Sequence, residues 1–569
     1  MLPDDADALH LLGLLCHQSG RSVEATGLIG RAIALAPAAA FMRANLAEVL
    51  RVQGELDQAE GHAREAVRLA PAQAESQFNL AAVLADRVSL AEAIVAIDAL
   101  LALQPDRAEA VSLKSAVCFR LERANEGFEL AQRAQALAPD NPALLAQLMR
   151  LRADVCDWRT RADDVAALVA LLERRVALAA SGGLAHGTDV LHGMNPFVAY
   201  EYPVPQTLRD AVTGLLVRQV IHAAGAPLEP VSASGARARQ RLRIGYVSAD
   251  FHSHPTMHLM ASFFGLHDRT GFETFAYSIG ADDGSDYRRR VATAVDSFVD
   301  IRAETPRQSA ERIRRDAIDI LVDLKGFTHA ARPGIFALRP APLRVAWLGY
   351  PASTGSGLND YAVVDRVTVP LDMPHCQAQF QEQLVWMPHS YQVNDFRQPI
   401  AAVPARSEAG LPENGFVFAC FNHPYKIEPE VFGVWMRILS RVPHSVLWLY
   451  GMDVALHGNL AREAQAQRID PARIVFGGTL PKPQHLARLA CADLFLDTGT
   501  INAHTSASDA LWAGVPVLTR PGETFASRVA ASLVTAVGLP QCVRCCRRAN
   551  ACRYSTRRAL HAISNTPSG

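Results

Sequence analysis

Four stretches of this chain place reactive residue types just after apolar runs. The first is Ser248-Ala249-Asp250-Phe251-His252-Ser253-His254-Pro255-Thr256-Met257-His258, which follows the run Leu242 to Val247 and holds three histidines in seven residues. Imidazole titrates near neutrality, so histidines at a strand's carboxyl end suit a general base or a polar lid. Metal ligation is conceivable, but no carboxylate or cysteine partner is evident. The second and third stretches are Phe421-Asn422-His423-Pro424-Tyr425-Lys426-Ile427-Glu428 and Pro481-Lys482-Pro483-Gln484-His485. The fourth, Asp497-Thr498-Gly499-Thr500-Ile501-Asn502-Ala503-His504-Thr505-Ser506-Ala507-Ser508-Asp509, ends a strand and opens a helix, where free backbone N–H groups make an anion site. Ser506 and Asp509 could equally form a capping box. Lysine, histidine and hydroxyl groups converging from three consecutive loops suit a nucleoside diphosphate. The cation and helix start take the pyrophosphate, a ring stacks on the base, and a carboxylate accepts from the ribose hydroxyls.

Those loops need strands and helices to hold them. From Leu242 onward short apolar runs alternate with helical stretches: Leu242 to Val247, Phe272 to Ile279, Ile320 to Leu324, Val345 to Tyr350, Phe416 to Phe421, Val446 to Tyr450, Ile474 to Gly477, Leu494 to Asp497 and Val515 to Leu518. Such alternation implies parallel sheets covered on both faces, with ligands outside the strands' carboxyl ends. The length exceeds one sheet, so two doubly wound lobes are expected, 241–391 and 414–540, joined by 392–413. Before them, prolines recur every 34 residues at Pro3, Pro37, Pro71, Pro105 and Pro139, and small residues share their register at Ala25, Ala59, Ala93 and Gly127. That period is the tetratricopeptide (TPR) signature, about four repeats over 1–140, with a helical extension and linker over 141–240. The concave face of such an array commonly binds extended polypeptide. Asn45 and Asn79 sit one repeat apart, where their amides could hold an acceptor's backbone or be no more than solvated polar groups.

Composition narrows the classes. The 569 residues are 49% hydrophobic and carry 56 basic against 57 acidic side chains, which excludes a disordered chain and disfavours nucleic-acid binding by bulk charge. No apolar run is long enough to cross a bilayer, and the start is acidic and polar, so a cytoplasmic protein is expected. Neither Gly-x-Gly-x-x-Gly nor a Walker loop stands at a strand–helix turn, and no nucleophile elbow or His-Glu-x-x-His occurs. Only Lys114, Lys325, Lys426 and Lys482 among the 56 basic residues are lysines. Six cysteines are scattered singly, in keeping with buried thiols. The other four, Cys542, Cys545, Cys546 and Cys552, fall in an arginine-rich stretch from Gln541 without acidic residues, expected to be a disordered tail outside the fold.

At residues 242 to 540 the chain resembles the catalytic region of the O-linked N-acetylglucosamine transferase and SPINDLY family, close to a bacterial member with amino-terminal repeats. The stretches that carry the resemblance are His254-Pro255-Thr256 through Leu259-Met260, Ala337-Leu338-Arg339-Pro340-Ala341-Pro342, Trp347-Leu348-Gly349-Tyr350-Pro351, Tyr425-Lys426-Ile427, His504-Thr505, and Pro521-Gly522-Glu523-Thr524-Phe525-Ala526-Ser527-Arg528-Val529-Ala530. The resemblance implies an inverting, metal-independent GT-B glycosyltransferase without a cofactor, moving N-acetylglucosamine from UDP-GlcNAc to Ser or Thr hydroxyls of proteins. It casts His254 as the catalytic histidine proposed as general base and Lys426 as the lysine that neutralises the leaving diphosphate. Lys482 and His485 would hold the uridine; Leu480, Pro481 and Arg488 belong to the same donor set. His504, Thr505 and Ser506 would form the phosphate-binding helix start, Asp509 the ribose carboxylate, and His258 would face the acceptor. His423 stands where animal members carry glutamine and Ile501 where they carry cysteine, so the donor contact at His423 departs from the pattern. Two alternatives remain at this point: the same fold using GDP-fucose, as SPINDLY proteins are associated with, or a repeat scaffold whose lobes are inactive.

Overall fold

The computed structural model describes residues 5–18, 21–121, 123–181, 191–229 and 240–539. The expected tail from Gln541, and residues 230–239 of the expected extension and linker, lie outside the described residues.

The repeats form antiparallel helix pairs: α1 (Ala6–Gln18) with α2 (Ser22–Leu35), α3 (Ala40–Gln53) with α4 (Leu56–Leu69), α5 (Ala74–Asp86) with α6 (Leu90–Leu103), and α7 (Ala108–Arg120) with α8 (Ala124–Leu137). Pro37, Pro71, Pro105 and Pro139 each stand two residues past the end of a second helix, where a ring without an N–H cannot extend the ladder. The small-residue column is where paired helices touch. Ala25, Ala59 and Ala93 are fully buried, and a Cβ added to Gly127 would sit 2.7 Å from the Phe119 ring.

Three further helices, Pro142–Asp154, Arg161–Ala180 and Gln206–Ala224, tie this array to the two sheets. The first approaches the second lobe, where the Arg150 guanidinium lies 3.6 Å over the Tyr425 ring and the Asn459 amide donates to the Val155 carbonyl at 2.9 Å. The last packs on the Gly334–Ala337 helix of the first lobe.

Two parallel sheets make the two lobes. The first runs β1 (Leu242–Ser248), β2 (Phe272–Ser278), β3 (Ser297–Asp300), β4 (Ile320–Asp323), β5 (Leu343–Ala346), β6 (Tyr361–Asp365) and β7 (Gln383–Met387), in spatial order β3-β2-β1-β4-β5-β6-β7. The second runs β8 (Val417–Cys420), β9 (Val446–Tyr450), β10 (Ile474–Gly477), β11 (Leu494–Leu496) and β12 (Val517–Leu518), in order β10-β9-β8-β11-β12. This is the two-lobed GT-B arrangement behind a TPR array. β3, β6 and β7 fall outside the expected apolar runs, and β5 is displaced from its own. β5 ends at Ala346, and Trp347 to Tyr350 form a loop in which the Trp347 indole donates to the Tyr391 carbonyl at 2.9 Å. The last helix among the described residues, Val529–Ala536, returns to the first lobe: Ser532 donates to Asp365 at 2.7 Å, and Val529 and Leu533 share a core with Val364 and Tyr391.

Candidate active site

Where strand order reverses in a doubly wound sheet, the loops leaving two neighbouring strands part and leave a crevice for ligands. In the first lobe that point lies between β1 and β4, in the second between β8 and β11. A lysine stands at each, Lys325 buried and Lys426 partly buried.

In the first lobe the β1 loop carries Asp250, His252 and His254, and the β4 loop carries Asp323 and Lys325. The β1 loop is pressed against the end of β2 so closely that a Cβ on Gly280 would lie 1.9 Å from the Ala249 carbonyl oxygen. Lys325 Nζ sits 2.7 and 2.9 Å from the two Asp250 oxygens, both side chains being buried. His254 starts the Pro255–Met260 helix, and its Nδ1 accepts from the Thr256 amide at 3.2 Å and lies 3.5 Å from Asp250 Oδ2. Burial holds His254 below the usual histidine range, with Asp250 opposing and Lys325 and His252 reinforcing. Its ring is therefore neutral at pH 7. With Nδ1 accepting from an amide, the proton resides on Nε2. A base at Nε2 needs the other tautomer, with Nδ1–H turned toward Asp250. His258, one turn on, packs 4.9 Å from the Tyr287 ring. Burial, with Lys482 of the facing lobe adding to it, pushes His258 down to about 3.

In the second lobe the β8 and β11 loops interlock. Asn422 donates to Thr498 Oγ1 at 2.7 Å, and Ser506 donates to the Asn422 carbonyl oxygen. Lys426 follows on a short turn, and its Nζ donates to the Asn502 carbonyl at 3.2 Å. Burial pulls Lys426 down to about 8, against the nearby Asp497. Asp497, pushed up to about 6 by burial, accepts from Thr519 at 2.6 Å and from the Ala503 amide at 2.6 Å. His504 stands at the start of the Thr505–Trp512 helix, and burial takes it to about 3. The neutral ring donates from Nε2 to the Ala526 carbonyl at 3.0 Å. That helix has no side-chain cap, so the capping-box reading of Ser506 and Asp509 does not hold. Asp509 instead meets Lys482 at 2.5 Å and lies 3.7 Å from His485 Nε2. His485 Nδ1 accepts from Arg488 at 3.0 Å, and its ring stands edge-on to Phe421 at 5.4 Å. Burial and the neighbouring cations Arg488 and Lys482 lower His485 to about 3. Between Lys426 and His504 the buried Asn502 side chain has no partner on either Nδ2 or Oδ1 among the described residues. Such orphaned amides are costly, about 1–3 kcal/mol each, and call for a polar ligand or water.

The structure thus gathers Lys426, Lys482, His485, Arg488, His504, Thr505, Ser506 and Asp509 on one crevice, and His258 faces it from the other lobe. Pro481 begins the helix that carries Lys482 and His485, and Leu480 before it is exposed. His423 is half-exposed and turned toward the helical extension, with Nδ1 3.3 Å from Asp154. Asn45 and Asn79 stitch neighbouring repeats: Asn45 Nδ2 meets His10 Nε2 at 3.0 Å, and the buried Asn79 donates to the Ala44 carbonyl at 2.8 Å. Lys325, Asp250, Asn422 and Asn502 escaped the sequence reading. The scarcity of lysine could have pointed to Lys325, but its partner lies 75 residues away. The six described cysteines are all buried and free. Among the described residues no group of three or more His, Cys, Asp or Glu could hold a metal ion, and no helix is long and apolar enough to cross a membrane.

Crevice and fold together define a two-lobed glycosyltransferase architecture. The sequence profile of glycosyl transferase family 41 matches residues 155–406 and 398–557, and the chain belongs to that family. It is 38% identical over 403 residues to a protein of Arabidopsis thaliana named probable UDP-N-acetylglucosamine–peptide N-acetylglucosaminyltransferase SEC, covering 68% of this chain and 39% of that one. To the tomato (Solanum lycopersicum) protein named probable UDP-N-acetylglucosamine–peptide N-acetylglucosaminyltransferase SPINDLY it is 33% identical over 317 residues, covering 53% and 33%. The chain therefore spans between a third and two-fifths of these relatives' lengths. In three dimensions it matches a Thermobaculum terrenum O-GlcNAc transferase mutant with a TM-score of 0.59 at 24% identity, over 99% of this chain and 94% of the other, a likeness of fold.

Proposed function

We propose that this chain is an inverting protein O-glycosyltransferase that moves N-acetylglucosamine from UDP-GlcNAc to Ser or Thr hydroxyls. The observation that carries the reading is the second-lobe crevice, whose loops carry Lys426, the Thr505–Trp512 helix start and the Lys482–Asp509 pair. That set of charges suits a ligand with two phosphates and a ribose hydroxyl pair. The 2.5 Å Lys482–Asp509 contact holds the carboxylate in place to accept from ribose hydroxyls. His485, kept neutral and edge-on to Phe421, offers an uncharged ring face to a uracil.

The chemistry rests on these charges. The acceptor oxygen attacks the anomeric carbon, the bond from that carbon to the diphosphate oxygen breaks with its electron pair going to UDP, and the hydroxyl proton passes to a base, for which His254 Nε2 is the candidate. Negative charge grows on the departing UDP, where Lys426 and the helix-start amides meet it in a buried site of low effective dielectric. Charge compensation by the ammonium and the helix requires no metal ion. His254 faces this event from the first lobe as a neutral imidazole. For the acceptor we infer a polypeptide lying along the inner face of the repeats. In support, the array's first pair returns to the first lobe, and Arg21 and Glu24 line a cavity of about 510 Å³ together with Arg307, Gln308 and Glu311. Titration calorimetry tests the donor: UDP should bind and GDP should not. Equal or stronger binding of GDP would overturn the assignment.

A further inference from the structure

The first-lobe crevice repeats the arrangement of the second, with a lysine at the strand-order reversal, yet nothing in the donor chemistry uses Lys325, which is buried. It is one of four lysines among 56 basic residues. Both its charge and that of Asp250 are removed from solvent, with side-chain exposures of 5% and 7%. A buried ion pair of this kind gains little over an apolar pair of the same shape, so stability alone is a weak reason for it. Its outer edge faces His254. Asp250 Oδ2 lies 3.5 Å from His254 Nδ1 and accepts from Thr256 Oγ1 at 3.3 Å, while that hydroxyl is itself 3.2 Å from Nδ1. The lysine end is anchored in turn: Asp323 Oδ1 accepts from the Lys325 and Gly326 amides at 2.9 Å each.

We propose that the Lys325–Asp250 pair is a positioning device for His254, Asp250 being the carboxylate that orients the imidazole and Lys325 the counter-charge that keeps Asp250 in place. The inference rests on the glycosyltransferase reading above. His254 has two possible neutral tautomers in this setting. With Nδ1 accepting from the Thr256 amide, Nε2 carries the proton and can only donate. With Nδ1–H directed at Asp250, Nε2 is free to take the acceptor's proton, the relation that an orienting aspartate supplies to a catalytic histidine elsewhere. Asp250 is the anionic acceptor within reach of Nδ1 that can stabilise the second tautomer. Left unbalanced, its charge would also draw a proton onto the ring, and Lys325 opposes that. The groups facing His254 are Asp250 and His252 on its own loop, Lys325 from the β4 loop and His258 on its helix, with Asp283 facing His252 and Lys482 of the second lobe facing His258.

The two partners act on the ring with opposite sign. Removing the lysine charge leaves Asp250 to favour the imidazolium, so the pH at which the site takes up a proton rises. Removing the carboxylate leaves Lys325 alone, so that pH falls and the base-competent tautomer loses its acceptor. The test is the pH dependence of single-turnover sugar transfer by the full chain with UDP-GlcNAc, for wild type, Lys325→Met and Asp250→Asn, alongside UDP calorimetry. Lys325→Met should move the acidic limb up by at least about one pH unit, a tenfold change in proton affinity. Asp250→Asn should move it down and lower the plateau rate about 100-fold or more, while UDP affinity changes less than about threefold for both, since neither touches the donor crevice. If Lys325→Met does not fold, the double variant Lys325→Met/Asp250→Asn, which buries no unpaired charge, replaces it. Its limb should lie between those of wild type and Asp250→Asn. Limbs that stay at the wild-type pH, or shift in the same direction in both single variants, overturn the proposal, because a merely structural pair would change amplitude alone. A wild-type chain that binds UDP but transfers no sugar would instead mark failure of the glycosyltransferase reading.

Discussion

Replacing Lys426 by arginine keeps a positive charge and should still abolish most of the catalysis. Lys426 is partly buried, and its Nζ rests on the Asn502 carbonyl at 3.2 Å, beside Asp497 and His504. One unit charge about 4 Å from another is worth about 4 kcal/mol at an effective dielectric near 20. If the departing diphosphate gains between half and all of a charge at that distance, the transition state gains about 2–4 kcal/mol, or roughly 30- to 1,000-fold in rate. Arginine cannot recover this by charge alone. Its planar fork is larger than the ammonium it replaces, and the Asn502–Ala503–His504 backbone that would have to move is held by Asp497 and by the Ala526 carbonyl. Lys426→Ala and Lys426→Arg should therefore both lower single-turnover transfer about 100-fold or more, while calorimetric UDP affinity falls by about tenfold or less. A Lys426→Arg chain with near-normal turnover would refute the reasoning, because it would mean that charge without the ammonium's geometry suffices.

The same lysine predicts a basic limb. Burial lowers it to about 8, so its charged form is lost as pH rises through that value, and turnover of the free enzyme should decline above about pH 8; a flat profile to pH 10 would contradict it. Lys482→Ala, which removes a charge-assisted contact worth about 1.5–3 kcal/mol, should weaken UDP binding about 10- to 100-fold by calorimetry. Asn79→Ala deletes a buried bond between repeats and should destabilise the array by about 1 kcal/mol in denaturant unfolding. Unchanged unfolding of Asn79→Ala would contradict the stitching role of that amide.

Much of the architecture was legible because long apolar runs and a fixed 34-residue period survive without knowledge of contacts. β9 coincides with its run, Val446 to Tyr450, since a central parallel strand is apolar on both faces, and β10, at an edge of the second sheet, coincides with Ile474 to Gly477. β3, β6 and β7 were not legible: Ser297–Asp300 and Gln383–Met387 lie at the two edges of the first sheet and are partly exposed, and Tyr361–Asp365 is a short strand whose Tyr361 and Val363 are only partly buried. The Val345 to Tyr350 run misled because Trp347 and Tyr350 are apolar for a different reason, filling the core beneath a loop. In the site, residues that begin helices or crowd one loop could be read from local pattern. Lys325 with Asp250 and Asn422 with Thr498 could not, since their meaning comes from strands that are adjacent in the sheet and about 75 residues apart in the chain.

The central claim is that this crevice transfers N-acetylglucosamine from UDP to protein hydroxyls. Incubating the full chain with a panel of protein acceptors and isotope-labelled UDP-GlcNAc or GDP-fucose, then mapping the label by mass spectrometry, tests it directly. The account predicts N-acetylglucosamine on Ser or Thr, UDP released in equal amount, no label from GDP-fucose, and loss of both products in Lys426→Ala. Fucose transfer in place of N-acetylglucosamine, or labelling that persists undiminished in Lys426→Ala, would contradict it.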